Sequence, residues 1–349
     1  GTSVGSKAIT LKQAVIIAAI FEFLGAYFAG GEVTSTIRKG IVDPSIYSND
    51  VNIFIIGMLS SLLAAGLWLL IASSKGWPVS TTHSIVGAIV GFVLISKGAS
   101  NVSWGTVGGI ASSWITSPLV SGLMAFLLYL SAKHLILDRN NPTKAAVSVI
   151  PFYSFFVTAV ICLVTARKGL KHVGINWTDN EIYLFTFVLS LLVSVFTFLF
   201  LLLKSSKLSS NVENQFGILM IITACAMAFA HGSNDVANAI GPIAAVVSIV
   251  TSDGTIQTSS ELNSWVLLLG AVGIVFGLAI LGRHVIKTVG EKITTLTPSL
   301  GFSANMATAS TVLAASYLGF PISTTHTLVG GVIGVGLARG YKYLDLNSI

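Results

Sequence analysis

A hydroxyl-rich motif, Ser-Thr-Thr-His, occurs twice in this chain and supplies the first candidates for binding chemistry. It lies in GWPVSTTHSIVGAIVG (76–91) and again in GFPISTTHTLVGGVIG (319–334), and nine of the sixteen aligned positions are identical. The copies are offset by 243 residues. A polar motif that is repeated in a strongly apolar chain indicates a duplicated functional element.

The two motifs have the features of helix N-termini that bind anions. Pro78 and Pro321 suit the first turn of a helix, where the backbone N–H needs no helical partner. The positive end of one helix attracts anions, and two such ends facing each other would suit an oxyanion such as phosphate. The predicted oxyanion ligands are Ser80, Thr81, Thr82, Ser323, Thr324 and Thr325. The alternative is that these hydroxyls only cap two buried helices.

The histidine of each motif and the glycines that follow it are not predicted to bind the anion. We expect His83 and His326 to support the site as structural hydrogen-bond donors rather than as proton carriers. A G-x-x-x-G pattern follows each histidine, at 87–91 and 330–334, and favours close helix packing. Such packing is compatible with a homodimer and equally with contacts inside one chain.

The segment AHGSNDVANAIGP (230–242) carries a stripe of polar side chains. His231, Asn234, Asp235 and Asn238 follow helical spacing and would share one face of a helix. A carboxylate with amide oxygens suits a hard cation such as Na⁺. We predict a cation site of Asn234, Asp235 and Asn238, with Na⁺ on Asp235 and Asn234 and with His231 in support. A buried polar cluster that only holds helices together is the alternative.

Two further features of the apolar segments bear on this site. Glu22 lies near the middle of the apolar stretch 11–30. Because an intramembrane carboxylate is costly, we expect it to face the protein interior as a cation ligand or proton carrier. In the segment 230–242, Gly232, Gly241 and Pro242 offer places where a helix could break and expose carbonyl groups.

Composition predicts the elements that position these residues. The chain has 349 residues, of which 53% are hydrophobic and 9% charged, with a mean hydropathy of +0.86. Soluble proteins carry about 25% charged residues, so we predict an integral, multi-pass, all-α membrane protein in a lipid bilayer. Unbroken apolar runs argue against a β-barrel. The predicted spans are 11–30, 51–73, 104–131, 145–166, 182–203, 215–231, 235–250, 264–282 and 301–318.

The motif segments 78–95 and 321–338 are marginal for a crossing. Each would be about 27 Å long as a helix, against a hydrocarbon core of about 30 Å. They are either full spans or parts of re-entrant hairpins. Duplicated halves with a polar break in each are typical of secondary transporters.

We predict three regions along the chain. Repeat one with connecting helices covers 1–203, a Ser-rich linker covers 204–214, and repeat two covers 215–349. Aligning Gly1 with Gly241 would place the counterpart of the polar segment 231–240 before Gly1 and the counterpart of residues 104–131 after 349. We therefore expect repeat one to begin inside its first element and repeat two to end early.

Charge and cysteine content exclude other classes of protein. The net charge is +6, but no Lys/Arg run alternates with aromatic residues, so the basic residues are assigned to loops that set membrane orientation and not to nucleic-acid binding. Cys162 and Cys225 both lie in apolar segments and indicate neither a disulfide framework nor a metal site. We expect no cofactor apart from a coupling ion.

Four segments together resemble the inorganic phosphate transporter (PiT) family across nearly the whole chain. They are GSNDVANAIGP, the doubled G-x-P-[VI]-S-T-T-H, the opening GTSVGSKAIT and SSWITSP at 112–118. The resemblance implies inverted repeats and symport of inorganic phosphate with Na⁺, or with H⁺ in some bacterial members. It also implies that Asp235, Asn234 and Glu22 act at the cation site, that His231 is the family's histidine before the Asn-Asp pair, and that the hydroxyl motifs hold phosphate.

Two departures from the family pattern stand out. The first Asn-Asp motif is expected before Gly1, and Asn305 stands where some similar members carry Glu. The first bears on whether residues 1–349 alone transport, and the second on coupling stoichiometry.

The prediction from sequence is therefore a cation-coupled phosphate symporter, with Na⁺ favoured, that works by alternating access in the plasma (inner) membrane. H⁺ coupling, or transport of sulphate or another oxyanion, is the closest alternative. An anion channel is less favoured. An intramembrane hydrolase is disfavoured because Ser233 would point away from His231 and Asp235 on a helix.

Overall fold

A computed structural model describes residues 1–169, 175–204, 211–256, 262–282, 284–286 and 296–340. Regular structure in these ranges is helical, with short 3₁₀ and π-helical turns and one isolated bridge between Val42 and Val102. The α-helices are numbered in chain order: α1 Thr2–Gly5, α2 Leu11–Ala29, α3 Gly31–Lys39, α4 Val51–Ser74, α5 Thr81–Ser96, α6 Trp104–Ala132, α7 Pro142–Val164, α8 Asp179–Lys204, α9 Glu213–Val250, α10 Ser264–Gly277, α11 Pro298–Tyr317 and α12 Thr324–Arg339.

Seven helical stretches of the described residues are long and apolar enough to cross a membrane. They are Leu11–Ala29, Val51–Ser74, Trp104–Leu137, Pro142–Arg167, Asp179–Leu203, Glu213–Val250 and Ser264–Gly282. Large apolar side chains face outward on them; Leu184 and Phe196 of α8 are both 64% exposed. An apolar exterior is what a bilayer requires, so the prediction of a multi-pass helical membrane protein is confirmed.

The predicted break in the Asn-Asp segment is wrong. Stretches 215–231 and 235–250 form one continuous helix, α9, with Pro242 inside it. Its glycines serve close packing: a Cβ on Gly232 would lie 2.1 Å from the Glu22 carbonyl oxygen, and one on Gly241 would lie 2.6 Å from Ile37 Cγ2. Glycine therefore lets α2 and α3 approach α9. The predicted linker 204–214 lies largely outside the described residues, and the division into repeats stays a prediction.

Each hydroxyl motif begins the second helix of a helical hairpin. The first hairpin pairs α4 with α5, and the Lys97–Asp50 ion pair (2.7 Å) joins it at the end opposite its turn. The second pairs α11 with α12. Both α5 and α12 have 16 residues, or about 24 Å, which is short for a crossing and favours the hairpin alternative.

Helix α11 accounts for the predicted span 301–318 but is not among the seven apolar stretches. It lies inside the protein and most of its polar side chains are buried. These are Ser299, Ser303, Asn305, Thr308, Thr311 and Ser316. Other helices therefore shield this polar helix from lipid.

The turns of the two hairpins meet. We call residues 76–80 tip one and residues 319–323 tip two. The Thr82 hydroxyl donates to the Ile322 carbonyl (2.9 Å), and the Thr325 hydroxyl donates to the Val79 carbonyl (3.4 Å). Each donor and each acceptor occupies the same position in its copy, so the contacts are reciprocal. The N-termini of α5 and α12 therefore lie side by side.

The two G-x-x-x-G patterns have different surroundings. In α12, a Cβ on Gly330 would lie 2.2 Å from the Pro118 carbonyl oxygen of α6, and one on Gly334 would lie 2.0 Å from that of Gly122. The corresponding glycines of α5, at 87 and 91, have no atom that close within the described part of the chain. The second pattern thus packs inside one chain.

We expect Gly334→Ala and Gly330→Ala to destabilise the protein by about 1–3 kcal/mol each, because the added methyl group overlaps the α6 backbone. Thermal unfolding in detergent, followed by the loss of the monodisperse peak, measures the effect. Gly108→Ala is the control, since a Cβ at Gly108 of α6 meets no atom within 4 Å. Equal unfolding temperatures for Gly334→Ala and the control would contradict this packing.

Candidate functional site

The carboxylate of Asp235 connects α9 with the first residues of both hydroxyl-motif helices. Its Oδ2 atom accepts hydrogen bonds from the hydroxyls of Thr81 (3.0 Å) and Thr324 (3.2 Å). His231, one turn earlier on α9, places Nε2 3.0 Å from the same oxygen. The Oδ1 atom is buried and has no partner in the described structure. One carboxylate oxygen is thus held by three donors while the other is left available.

Asn238 lies one turn after Asp235 and presents a second available oxygen. Its amide nitrogen donates to the hydroxyls of Thr81 (3.0 Å) and Thr82 (3.1 Å). Its Oδ1 atom is buried without a partner among the described residues. A buried polar atom without a hydrogen bond is costly. The side-chain Oδ1 atoms of Asp235 and Asn238 are therefore suitable ligands for a hard cation.

Asn234 is oriented differently from its two neighbours. Its amide nitrogen donates to Ser316 Oγ (3.0 Å) and to the Phe320 carbonyl (3.1 Å), and its Oδ1 accepts from the Ile322 backbone N–H (3.2 Å). It does not line a cavity of about 680 Å³, which we call the large cavity, that Asp235 and Asn238 border. The structure thus brings Asp235 and Asn238 together at the cavity and turns Asn234 toward tip two.

Glu22 joins the site through His231. The carboxyl Oε1 atom of Glu22 lies 3.2 Å from His231 Nδ1, within ion-pair distance but without an aligned hydrogen bond. Glu22 is 8% exposed. The close approach of α2 to Gly232 makes this contact, which extends the acidic site from Asp235 to α2.

The six predicted oxyanion ligands fall into three equivalent pairs. The first hydroxyl of each motif accepts a hydrogen bond from the backbone N–H three residues later and so caps its own helix. The second hydroxyl donates to Asp235, and the third donates to the opposite tip. In that order the pairs are Ser80 with Ser323, Thr81 with Thr324, and Thr82 with Thr325.

His83 and His326 face each other across the two tips. Their ring centroids are 4.9 Å apart at a steep angle, and His83 also packs on Trp114 at 3.8 Å. The Nε2 atom of His83 has no hydrogen-bond partner among the described residues. The pair contributes ring packing between the hairpins and does not border the large cavity.

The large cavity of about 680 Å³ opens onto the site. Its polar lining includes Glu22, Thr81, His231, Asp235, Asn238, Asn305, Thr324 and Thr325, together with Thr2, Ser3 and Ser73. Asn305 and Thr2 also meet here, with 2.6 Å between Asn305 Oδ1 and the Thr2 hydroxyl. The predicted site omitted these two, although the opening GTSVG and the departure at Asn305 had both drawn attention to them.

Ser316 is a further residue that the sequence prediction missed. It is 2% exposed and contacts Asn234. The repeat offset of 243 relates it to Ser73 in the first hairpin, which is the signal that could have found it.

The structure also removes the basis for a hydrolase: Ser233 donates to the Ala230 carbonyl (2.8 Å) and contacts Ser316 (3.2 Å), away from His231.

Paired hairpin tips, a buried carboxylate and a cavity within a bundle of apolar helices define a membrane transporter of the secondary class. The phosphate transporter family model matches residues 1–348, so the chain belongs to the phosphate transporter family and is not an enzyme.

Similar proteins cover the whole chain. A candidate phosphate permease of Haemophilus influenzae is 50% identical over 355 residues, which span 100% of this chain and 84% of that protein. A candidate permease of Pyrococcus abyssi is 43% identical, with 100% of this chain and 85% of that protein covered. A solved structure called the sodium-dependent phosphate transporter is 42% identical with a TM-score of 0.89 and covers 99% of this chain and 86% of that chain.

We expect Ser80→Ala and Ser323→Ala to reduce stability by similar amounts, about 1 kcal/mol each, because each removes an equivalent helix cap. Thermal unfolding of the purified variants measures this loss. Ser112→Ala is the control, since its hydroxyl bonds only to its own helix at Gly109. A loss in one variant but not the other would contradict equivalent capping.

Proposed function

We propose that this protein is a sodium-coupled phosphate symporter in which Asp235 links the two hairpins. The observation that carries the proposal is the position of one buried carboxylate oxygen between Thr81 and Thr324. These threonines are the same residue of the two motif copies. A ligand that changes the charge or contacts of Asp235 therefore acts on both hairpins at once.

The proposed cation ligands are the unpartnered oxygens of Asp235 and Asn238, with Glu22 supplying a second carboxylate nearby. The donor set is made of oxygen atoms only, as Na⁺ prefers. Within the described residues no group of three or more His, Cys, Asp and Glu side chains could hold a metal ion, so a transition-metal site is not indicated there. Na⁺ is also the coupling ion in the name of the similar solved structure.

The proposed phosphate site lies at the N-termini of α5 and α12. Those helix ends offer backbone N–H groups and the positive ends of two helix dipoles. Thr81 and Thr324 add hydroxyls that can turn from Asp235 toward an anion. Ser80 and Ser323 support the site as caps, and Thr82 and Thr325 support it by joining the tips.

Electrostatics gives the reason for coupling. Like charges about 4 Å apart repel by about 4 kcal/mol at the effective dielectric typical near protein surfaces. An anion beside the Asp235 carboxylate therefore needs a cation to offset this repulsion. We infer that the empty and the fully loaded carriers change sides readily, whereas the carrier with phosphate alone does not, which gives alternating access with obligatory symport.

Proton coupling is the closest alternative for the ion, and sulphate is the closest alternative for the anion. His231 between two carboxylates favours the first, because protonation there would also offset negative charge. Both oxyanions are tetrahedral, and the family description favours phosphate.

We place the protein in the plasma (inner) membrane, where solute uptake requires a carrier. Gly330 and Gly334 already pack against α6 of the same chain, so they do not support a homodimer.

Phosphate uptake into proteoliposomes tests the proposal directly. We expect the full-length protein to accumulate radiolabelled phosphate when an inward Na⁺ gradient is applied at fixed pH, and to lose this uptake when K⁺ replaces Na⁺. Asp235→Asn is expected to raise the half-saturating Na⁺ concentration more than tenfold, since it removes the charge at the proposed cation site. Uptake that follows a pH gradient and ignores Na⁺ would instead establish proton coupling, and sulphate uptake would change the substrate.

Equivalent threonines should contribute equally to phosphate binding. We expect Thr81→Val and Thr324→Val each to raise the phosphate KM about tenfold at saturating Na⁺, because each loses one hydrogen bond to a charged group. Thr158→Val is the matched control, since the Thr158 hydroxyl bonds only to Ser154 of its own helix. An unchanged phosphate KM in both site variants would exclude them as ligands.

A further inference from the structure

Tip two is held by side chains from three separate elements. The Thr36 hydroxyl of α3 donates to the Gly319 carbonyl (2.7 Å), and the Asn234 amide of α9 donates to the Phe320 carbonyl (3.1 Å). The Ile322 N–H donates to Asn234, and the Ile322 carbonyl accepts from Thr82 of α5. Four backbone groups of one turn are thus bonded to other elements immediately before Thr324.

The Asn234 side chain is fully engaged by this turn. Both hydrogens of its amide nitrogen are used, on Ser316 and on the Phe320 carbonyl, and its oxygen accepts from Ile322. The orientation of the amide group follows, because reversing it would set its NH₂ group against the Ile322 N–H donor. Asn234 is 0% exposed, so no solvent could replace these bonds.

The contrast with Asp235 and Asn238 assigns the roles. Those two residues line the cavity and each has one buried oxygen without a hydrogen-bond partner, whereas Asn234 points into the turn. Gly319 has φ +75° and a Cβ there would lie 3.3 Å from the Thr36 hydroxyl oxygen. Glycine therefore adopts the turn without strain and also admits α3.

We propose that Asn234 and Thr36 are positioning residues that fix the backbone of tip two and thereby hold Thr324 against Asp235, and that Asn234 is not a cation ligand. The proposal rests on the proposed phosphate site, because it assigns how one half of that site is held in place. A displaced tip two would weaken phosphate binding through Thr324, while Thr81 and His231 would still hold Asp235 and Thr81 would still bond Asn238.

The two roles of Asn234 are distinguished by which affinity changes in the full-length protein. At saturating Na⁺, we expect Asn234→Ala to raise the phosphate KM about tenfold with little change in kcat, the size expected for lost hydrogen bonds to buried backbone groups. Thr36→Val should act in the same direction, although Thr36 lies on another helix. At saturating phosphate, the half-saturating Na⁺ concentration should stay unchanged in both variants and rise in Asn238→Ala.

Two conservative variants complete this set. Thr36→Ser keeps the hydroxyl, so its phosphate KM should equal that of the unaltered protein. Ser35→Ala is the matched control on α3, because the Ser35 hydroxyl bonds only to Gly31 of its own helix. If Asn234→Ala raises the half-saturating Na⁺ concentration as Asn238→Ala does and leaves the phosphate KM unchanged, Asn234 is a cation ligand and the proposal is overturned.

Hydrogen–deuterium exchange tests the positioning without any transport. Peptides covering 318–326 should exchange faster in Asn234→Ala and Thr36→Val than in the unaltered protein or in Ser35→Ala, because the Ile322 amide loses its acceptor or the turn loosens. Unchanged exchange in Asn234→Ala would overturn the proposal even if phosphate is not the substrate. If exchange rises while the unaltered protein takes up no phosphate with Na⁺, the proposed function fails and the positioning role stands.

Discussion

A negative charge inside an apolar helical bundle is the constraint on which the rest of this structure depends. Burying the Asp235 carboxylate in a membrane protein is costly unless it is compensated. Three donors compensate Oδ2: the hydroxyls of Thr81 and Thr324, and His231 Nε2. To supply them, both hairpins must bring their second helices to the same point of α9. The second oxygen, which no described residue compensates, is where the chemistry of transport is proposed to act.

The duplicated motif serves this constraint by dividing its hydroxyls among three tasks. One hydroxyl per copy stabilises its own helix, one joins the tips and one reaches Asp235. Three consecutive residues thus cap the helix, connect the two tips and bond Asp235. Because all three tasks are needed in each copy, the whole motif is repeated and not only one residue of it. The reciprocal bonds between the tips keep the two binding threonines in equivalent positions.

Small residues determine how closely the helices around the site approach. Gly232 lets the α2 backbone reach α9 next to Glu22, and Gly330 and Gly334 let α12 pack on α6. A side chain at any of these positions would push apart the helices that carry the acidic groups or the hydroxyls. In the Asn-Asp segment, glycine therefore permits contact and does not interrupt the helix, as α9 runs unbroken through it.

The sequence by itself determined the class of protein, the helical architecture, the duplicated motif and the polar stripe of α9. These follow from local composition and spacing, since hydropathy, helical periodicity and repeated residues need no knowledge of long-range contacts. Membership of the phosphate transporter family followed from the same motifs. The two predicted spans at 215–231 and 235–250 were wrong because glycine and proline give the same signal at a helix break and at a close helix contact.

Only the tertiary structure decided what each polar side chain does. Asn234, Asp235 and Asn238 share one helical stripe and similar burial, so spacing alone could not separate them. Their roles differ because tip two lies against Asn234, whereas the cavity lies beside Asp235 and Asn238. Likewise, Ser80, Thr81 and Thr82 differ only by their directions from a helix end, and Ser316 and Thr36 join the site across long stretches of chain. A hydrogen bond depends on position and direction, and folding sets both for residues that are distant in sequence.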